Sequence, residues 1–449
     1  MKTSDTTINR ALLKSYATQA NKLIFAKQRL AVGGLQPVIK QFYRRKKAAL
    51  LRLAKKYPTP FYVFDKKELQ QSARLFSRAF NKELPKVNYY YAVKTNCHPW
   101  ILKNVVQHGF GLDVSSSREL KLAVQAGAKK MVWSGPGKTE ADLKLALKYR
   151  SRLIVHLDSF QELKKLGQLC HQTGQTIKAG VRIYTKQHGI WNKFGIPLPE
   201  LKSFFALAKQ YSKLDLCGIQ FHLSWNAGPE PYQNVLQELA GYLKKNFALN
   251  QLNQLEFIDI GGGFLPHRLT GENPWSASAQ ADLLKKIADY SDLNPKFKHF
   301  YYLTQAVPLS VYAAGIGWAI KKYFSWLPRL TFLTEPGRVI CNNAMHLVLR
   351  VADVKAKDRI ILDGGVNIVG WEGLRYDYTP VVNLNHFSMK EKPCLVFGCL
   401  CMADDIWSYS CYASKLTSGD VVAIPNLGAY TYALAQDFIF NIPPVYPLT

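Results

Sequence analysis

Lys94 closes an aromatic run, Val87-Asn88-Tyr89-Tyr90-Tyr91-Ala92-Val93, and is followed by the polar stretch Thr95-Asn96-Cys97-His98. Tyrosines and valines at this density predict a strand. Pro99 fits the first turn of a helix that stops near Gly109. A lysine at the mouth of a buried strand is either used, paired, or snorkels to the surface. If it is used, burial lowers the pKa of its amine and makes it a nucleophile toward aldehydes. A second candidate is Ile258-Asp259-Ile260-Gly261-Gly262-Gly263, a strand that runs into three glycines. Consecutive glycines let backbone amides close around an anion, and the same triplet also makes a plain tight turn.

These residues need elements that hold them at one end of a fold. Apolar, β-prone runs recur near 87–93, 111–114, 131–134, 152–157, 178–184, 216–222, 256–260 and 330–334, with helical patterns between them. Strands alternating with helices predict an α/β fold, a (β/α)8 TIM-type barrel whose site lies at the C-terminal ends of its strands. Ser116-Ser117-Arg118-Glu119 reads as a capping box for one of the helices. After residue 338 the pattern changes to strands at 346–351, 359–362, 393–397 and 420–424 without long helices, which predicts a C-terminal β domain completed by residues from before the barrel. The expected organisation is a basic helical extension at 1–56, a barrel at 57–337 with an insertion at about 265–329, and the β domain at 338–449.

Composition bounds the class. The chain has 449 residues, 48% of them apolar and 12% aromatic, which is globular. Its cysteines, at 97, 170, 217, 341, 394, 399, 401 and 411, form no paired metal-binding spacing, so no metal site is expected and reduced thiols in a cytoplasmic protein are. No secretory signal is read at the N-terminus. The apolar run Ala306–Ile320 is interrupted by Pro308 and ends at Lys321-Lys322, so it predicts a buried or interface helix and no membrane span. Net charge is +28. Residues 1–56 carry fourteen Lys and Arg against one acid, Asp5, and the remaining excess is spread along amphipathic helices. No aromatic-basic motif accompanies it, and no nucleic-acid partner is expected.

Tyr91-Ala92-Val93-Lys94-Thr95-Asn96 resembles the Tyr-Ala-x-Lys-x-Asn signature of fold-type III pyridoxal-phosphate (PLP) enzymes, among them the diaminopimelate, ornithine and arginine decarboxylases. The resemblance covers roughly residues 57–445. It implies PLP as cofactor, held covalently through Lys94, with Gly261, Gly262 and Gly263 on its phosphate. In Thr334-Glu335-Pro336-Gly337-Arg338 it implies that Glu335 keeps the pyridine nitrogen protonated and that Arg338 contacts phosphate or a substrate carboxylate. A surface salt bridge is the bland alternative for that pair.

By the same resemblance Asp113, Arg182 and Tyr430 contact the cofactor, as does Glu119 unless it is only a helix cap. His222 would stack on the ring, unless it is a satisfied core histidine. His222-Leu223-Ser224-Trp225-Asn226 departs from the family's His-x-Gly-Ser wording, with Trp225 standing where a phosphate-binding serine is usual. Phe397-Gly398-Cys399-Leu400-Cys401-Met402-Ala403-Asp404-Asp405 resembles a phrase whose cysteine returns a proton in the partner subunit's site. The cysteine aligns with Cys401 and the aspartate with Asp405, while Met402 replaces an acid. A buried structural thiol is the alternative for Cys401. Arg375-Tyr376-Asp377 aligns more loosely with a stretch near the substrate's far end.

The resemblance therefore implies a homodimeric amino-acid decarboxylase with shared sites. Catalysis would fall to Lys94, Cys401 and His222, and substrate binding to Arg338, Arg375, Tyr376 and Asp405. The substrate would be diaminopimelate- or ornithine-like, or an atypical siderophore-type precursor. A PLP-dependent racemase and a catalytically silent regulatory paralogue are the alternatives.

Overall fold

The computed structural model describes residues 10–25, 35–84, 86–189, 192–266, 270–272, 302–304, 306–370 and 377–448. Strand β1 (Phe61–Phe64) precedes a closed parallel barrel. The barrel strands are β2 (Val87–Ala92), β3 (Gly111–Val114), β4 (Met131–Trp133), β5 (Leu153–Leu157), β6 (Ile177–Tyr184), β8 (Leu214–Gln220), β9 (Phe257–Asp259) and β12 (Thr331–Thr334), and β5–β6 pairing closes the ring. Each coincides with an expected strand. Strand β7 (Ile196–Pro197) adds only to the end of β6.

Side chains alternate across a strand, so the parallel registers decide what fills the barrel. Tyr90 lies opposite Gly111, His156 opposite Gly180, Gly218 opposite Phe257, and Gln220 opposite Asp259. The large inward rings fit because their neighbours have no side chain. A Cβ on Gly111 would sit 2.5 Å from the Tyr90 ring, and one on Gly218 only 1.9 Å from that of Phe257. Tyr90, Val132, Cys217, Phe257 and Leu333 make an apolar cluster of their own. Two residues further along their strands, Ala92, Ser134, Asp259 and Glu335 face the C-terminal mouth. The period-2 rule thus converts an apolar floor into a polar layer.

The outward faces bury helices. Residues Lys66–Glu83 form a helix capped by Asp65, whose side chain accepts the Glu68 N–H at 3.1 Å, and it buries Leu69, Ala73, Phe76 and Phe80. Pro99–Gln107 is helical as expected, and Gly109 takes φ +84° beyond it. Ser116 caps Ser117–Gln125 by accepting the Glu119 N–H, but the Glu119 carboxylate turns to the Ser115 N–H at 2.7 Å, so the box is not reciprocal.

The expected insertion is shorter than 265–329. Leu309–Phe324 is a regular crossover helix that buries Tyr312, Ala313, Ile316 and Phe324 and leads into β12. Between β9 and that helix, β10 (Thr270–Glu272) and β11 (Tyr302–Thr304) pair antiparallel. Residues 267–269, 273–301 and 305 of this stretch lie outside the described residues. Among the described residues no helix is long and apolar enough to cross a membrane.

The second sheet is built on β13 (Met345–Ala356). It also contains β14 (Arg359–Leu362), β16 (Val382–Asn383), β17 (Lys392–Phe397), β18 (Ile406–Cys411) and β19 (Val421–Ile424), while β15 (Asp377–Tyr378) pairs with β10. Strand β1 pairs antiparallel with β13 and parallel with β20 (Val445–Pro447). The β domain is thus completed from before the barrel, and residues 61–64 belong to its sheet and not to the barrel.

Within the expected extension, the helix Gln36–Lys56 docks on the body. Its buried Ile39, Phe42, Leu50 and Leu53 pack on Phe61, Val63, Val348, Val382 and Tyr412 of that sheet. Tyr43 stacks on Phe387 and Tyr57 on Tyr446, with centroids 3.9 and 3.8 Å apart. Lys46 pairs with Asp65 and Glu68, and Arg350 Nη2 donates to the Ala54 carbonyl at 3.1 Å. This helix is part of the body.

Candidate active site

Lys94 sits in a single turn of 3-10 helix, Val93–Thr95, immediately beyond β2. Its Nζ lies 3.4 Å from Asp113 Oδ2 at the end of the neighbouring β3. Asp113 is fully buried, and its other oxygen accepts from Ser134 Oγ at 2.5 Å. Burial alone would lower the lysine pKa. The Asp113 and Glu335 carboxylates outweigh it and raise the amine above its usual value. The expected depressed pKa is therefore reversed here, because acids on both sides keep the amine charged.

Glu335 follows β12 and is buried. Its Oε2 lies 3.4 Å from His222 Nδ1, and its Oε1 accepts from Gln220 Nε2 at 3.4 Å. Burial first, then the nearby Asp259 carboxyl, raises it to about 7. Asp259 is raised to about 7 as well, again chiefly by burial. His222 accepts the Gly262 N–H on Nδ1 at 3.2 Å. Burial, with Lys94 and Arg182 nearby, holds its pKa well below the ordinary histidine range. It is a neutral ring edged against a carboxyl.

Across the mouth, Arg182 ends β6. Its guanidinium donates to the Ser134 carbonyl at 3.2 Å and lies 4.5 Å over the Phe194 ring. Arg338 opens the short helix after Glu335. Its guanidinium is clasped between Trp225 and Tyr430, 4.5 and 5.0 Å from their centroids. Both aromatics hold left-handed backbones, φ 59° and 56°. Among the described residues Arg338 has no carboxylate partner.

The glycine triplet packs against Glu335 and the segment Phe221–Asn226. Gly261 and Gly263 take φ +67° and +88°. A Cβ on Gly262 would meet the Glu335 carbonyl at 2.3 Å, and one on Gly263 the Leu223 carbonyl at 2.0 Å. Tyr232 Oη donates to the Gly262 carbonyl at 2.6 Å, and Asn226 N–H to that of Gly263 at 3.0 Å, locking the loop. The Gly261 amide donates to Asp259 and the Gly262 amide to His222, while the Gly263 amide has no acceptor among the described residues. The donor set fits PLP: an amine for its aldehyde, a carboxyl for its ring nitrogen, and, for its phosphate, an arginine without a carboxylate and a glycine amide without an acceptor among the described residues.

Residues 70–342, more than half of the chain, match the family described as pyridoxal-dependent decarboxylase, pyridoxal binding domain. The chain belongs to this family. Diaminopimelate decarboxylase of Helicobacter pylori is 27% identical over 85% of this chain and 88% of its own length. Lysine/ornithine decarboxylase of Selenomonas ruminantium is 26% identical over 90% of this chain and 95% of its own. Among solved structures, diaminopimelate decarboxylase from H. pylori complexed with L-lysine superposes with a TM-score of 0.69 at 26% identity, covering 86% of this chain and 90% of that one. These likenesses make the protein a PLP-dependent amino-acid decarboxylase and do not favour a racemase or a silent paralogue.

In this decarboxylase Cys401 and Asp405 come from the segment between β17 and β18 of the second sheet. Cys401 is exposed in the turn between β17 and β18, so the buried-thiol alternative is excluded. Asp405, expected to bind substrate, is buried and already engaged. One oxygen accepts the Val366 N–H at 2.8 Å and the other the Leu400 N–H at 2.7 Å. A Cβ on Gly398 would sit 2.3 Å from it. Its position assigns it to shaping the cysteine loop. Arg375 and Tyr376 lie outside the described residues. No motif marks His156 and Gln220, which face inward with Asp259. Alternation along β5 and β8 was the available signal.

Proposed function

We propose that this decarboxylase acts on an amino acid whose far end is uncharged, bulky or N-acylated, in a homodimer whose sites are shared. The observation that carries the reading is the Cys401 loop. Met402, half-buried beside the cysteine, offers no charge and only a weak acceptor. Asp405 has both oxygens committed to backbone amides. A distal ammonium delivered to this loop would lack a buried partner, a loss on the order of a few kcal/mol, or about a hundredfold in specificity. The names of the relatives and the exposed Asp404 favour the second reading, an ordinary diamino acid.

PLP, when bound, supplies the electron sink for the pair left behind as CO2 departs. Lys94 contributes the amine that holds it, and Asp113 keeps that amine's proton close. Glu335 holds a proton at the ring nitrogen. His222 stays neutral and offers a flat ring face. Arg338, the Gly263 amide and Tyr430 bind phosphate oxygens. Cys401 Sγ carries a proton for the carbon that CO2 leaves, and its exposure supports delivery to a partner's site. Eight free cysteines support a reducing, cytoplasmic setting.

The test is kcat/KM for CO2 release across ornithine, lysine, meso-diaminopimelate and their N-acylated or bulkier analogues, with Met402→Glu alongside. The proposal expects the free diamino acids to be poor and Met402→Glu to improve them. Efficient turnover of diaminopimelate or ornithine by the wild type would return the protein to the second reading. Mixing Lys94→Ala with Cys401→Ala chains should restore part of the activity in mixed dimers. No recovery in proven heterodimers would mean that each site is built from one chain.

A further inference from the structure

The polar layer of the barrel contains titratable groups that the proposed chemistry leaves unused, among them His156 and Asp259. His156 lies on β5 and is fully buried. Space for its ring exists because Gly180, its partner on β6, has no side chain. A Cβ there would stand 2.7 Å from His156 Nδ1. Among the described residues nothing partners that Nδ1. The other nitrogen, Nε2, lies 3.1 Å from Asp259 Oδ2, while Asp259 Oδ1 accepts the Gly261 N–H at 2.9 Å.

These contacts fix the proton positions. Burial pulls His156 down to about 4, so the ring is neutral and carries one proton. The nitrogen facing the carboxylate is the one that gains from holding it, so Nε2–H donates and Nδ1 is bare. Glu335 reaches the same cluster, and one atom from each of His156, Asp259 and Glu335 falls within 4.8 Å of the others. Two buried carboxyls this close hold one negative charge more readily than two. Asp259 has two close N–H donors, whereas Glu335 has the longer Gln220 contact and a 3.4 Å contact with His222 Nδ1, a nitrogen that already accepts the Gly262 N–H. The negative charge settles on Asp259 and the shared proton on Glu335. Lys94, Asp113, Arg182 and His222 also face the pair, and none of them donates to Asp259.

We propose that His156 is a positioning residue for the cofactor's ring nitrogen: its hydrogen bond keeps Asp259 ionised, so that Glu335 is the carboxyl with a proton to give. The transfer balances: the Glu335 O–H bond breaks, a ring N–H bond forms, and the carboxylate and pyridinium remain as a pair with Asp259 behind them. The inference rests on the PLP reading above and adds a residue to it.

The experiment compares equilibrium binding of PLP with that of 1-deaza-PLP, whose ring nitrogen is replaced by carbon, to the full chain. Wild type should prefer PLP. His156→Leu should reduce that preference by about tenfold, one pK unit at the nitrogen. His156→Gln, which retains an N–H donor, should restore most of it. Affinity for the deaza analogue should stay the same in all three, a pattern that a merely structural role would not give. If the leucine variant does not fold, Asp259→Asn removes the same charge and must lower the preference too. An unchanged preference in folded His156→Leu or Asp259→Asn overturns the inference alone. Wild type that takes up neither compound overturns the PLP reading, and the inference with it.

Discussion

Lys94 Nζ and Asp113 Oδ2 stand 3.4 Å apart at the ends of neighbouring parallel strands. The pair keeps the amine protonated, so the resting lysine is a poor nucleophile until that proton leaves. Asp113→Asn should lower the lysine pKa, because burial remains and the largest raising influence is gone. The rate of PLP capture at pH 7.5 should then rise, on the order of tenfold for each pK unit lost. Stopped-flow absorbance against pH measures it, and an unchanged pH profile would show that Asp113 does not hold the proton.

Glu335 gives a pH signature to the cofactor-free protein. Its pKa rises from 4.5 unfolded to about 7 folded, chiefly through burial. The folded state therefore holds the proton more tightly. That contribution to stability is complete below about pH 4.5 and is lost as pH rises through about 7. Glu335→Gln has no proton to lose. The Tm of the variant minus that of wild type should become more positive from pH 5 to pH 8, by on the order of a few degrees. A flat difference would show that the carboxyl is not uncomfortable when charged.

Arg338 should read the phosphate. Its guanidinium is oriented by Trp225 and Tyr430 and has no carboxylate partner among the described residues. Arg338→Ala should weaken PLP binding on the order of tenfold to a hundredfold, the scale of a charge-assisted hydrogen bond. Binding of pyridoxal, which lacks the phosphate, should not change. Equal losses for both would place the arginine elsewhere in the chemistry.

The helix Gln36–Lys56 should behave as core. Leu50 is fully buried against the second sheet, and Leu50→Ala should cost about 2–5 kcal/mol in a denaturant melt. Removing residues 1–30 should leave the melt unchanged, whereas removal through residue 56 should cause aggregation. A stable, soluble product of the longer deletion would contradict the packing.

Sequence made the barrel legible wherever a strand announced its own end. Lys94, Glu335 and the 261–263 glycines sit where an apolar run gives way to polar or glycine residues, and such ends are where a barrel gathers its site. His156 was hidden because it stands inside the apolar run Leu153–Leu157, and only the register with Gly180 turns it inward. The helix 36–56 shows its stripe of Ile39, Phe42, Leu50 and Leu53 plainly, but apart from β1 the sheet it covers is assembled from strands roughly three hundred residues later. Asp405 aligned with a substrate residue, yet the backbone amides that occupy it are invisible to spacing.

The central claim is that Lys94 is the PLP lysine. Purified chain loaded with PLP, reduced with borohydride, digested and mapped by mass spectrometry tests it most directly. The account predicts one phosphopyridoxyl adduct, on the peptide containing Lys94, and none on that peptide in Lys94→Ala. A stable adduct on another lysine, or no uptake of PLP by the folded chain, would contradict it.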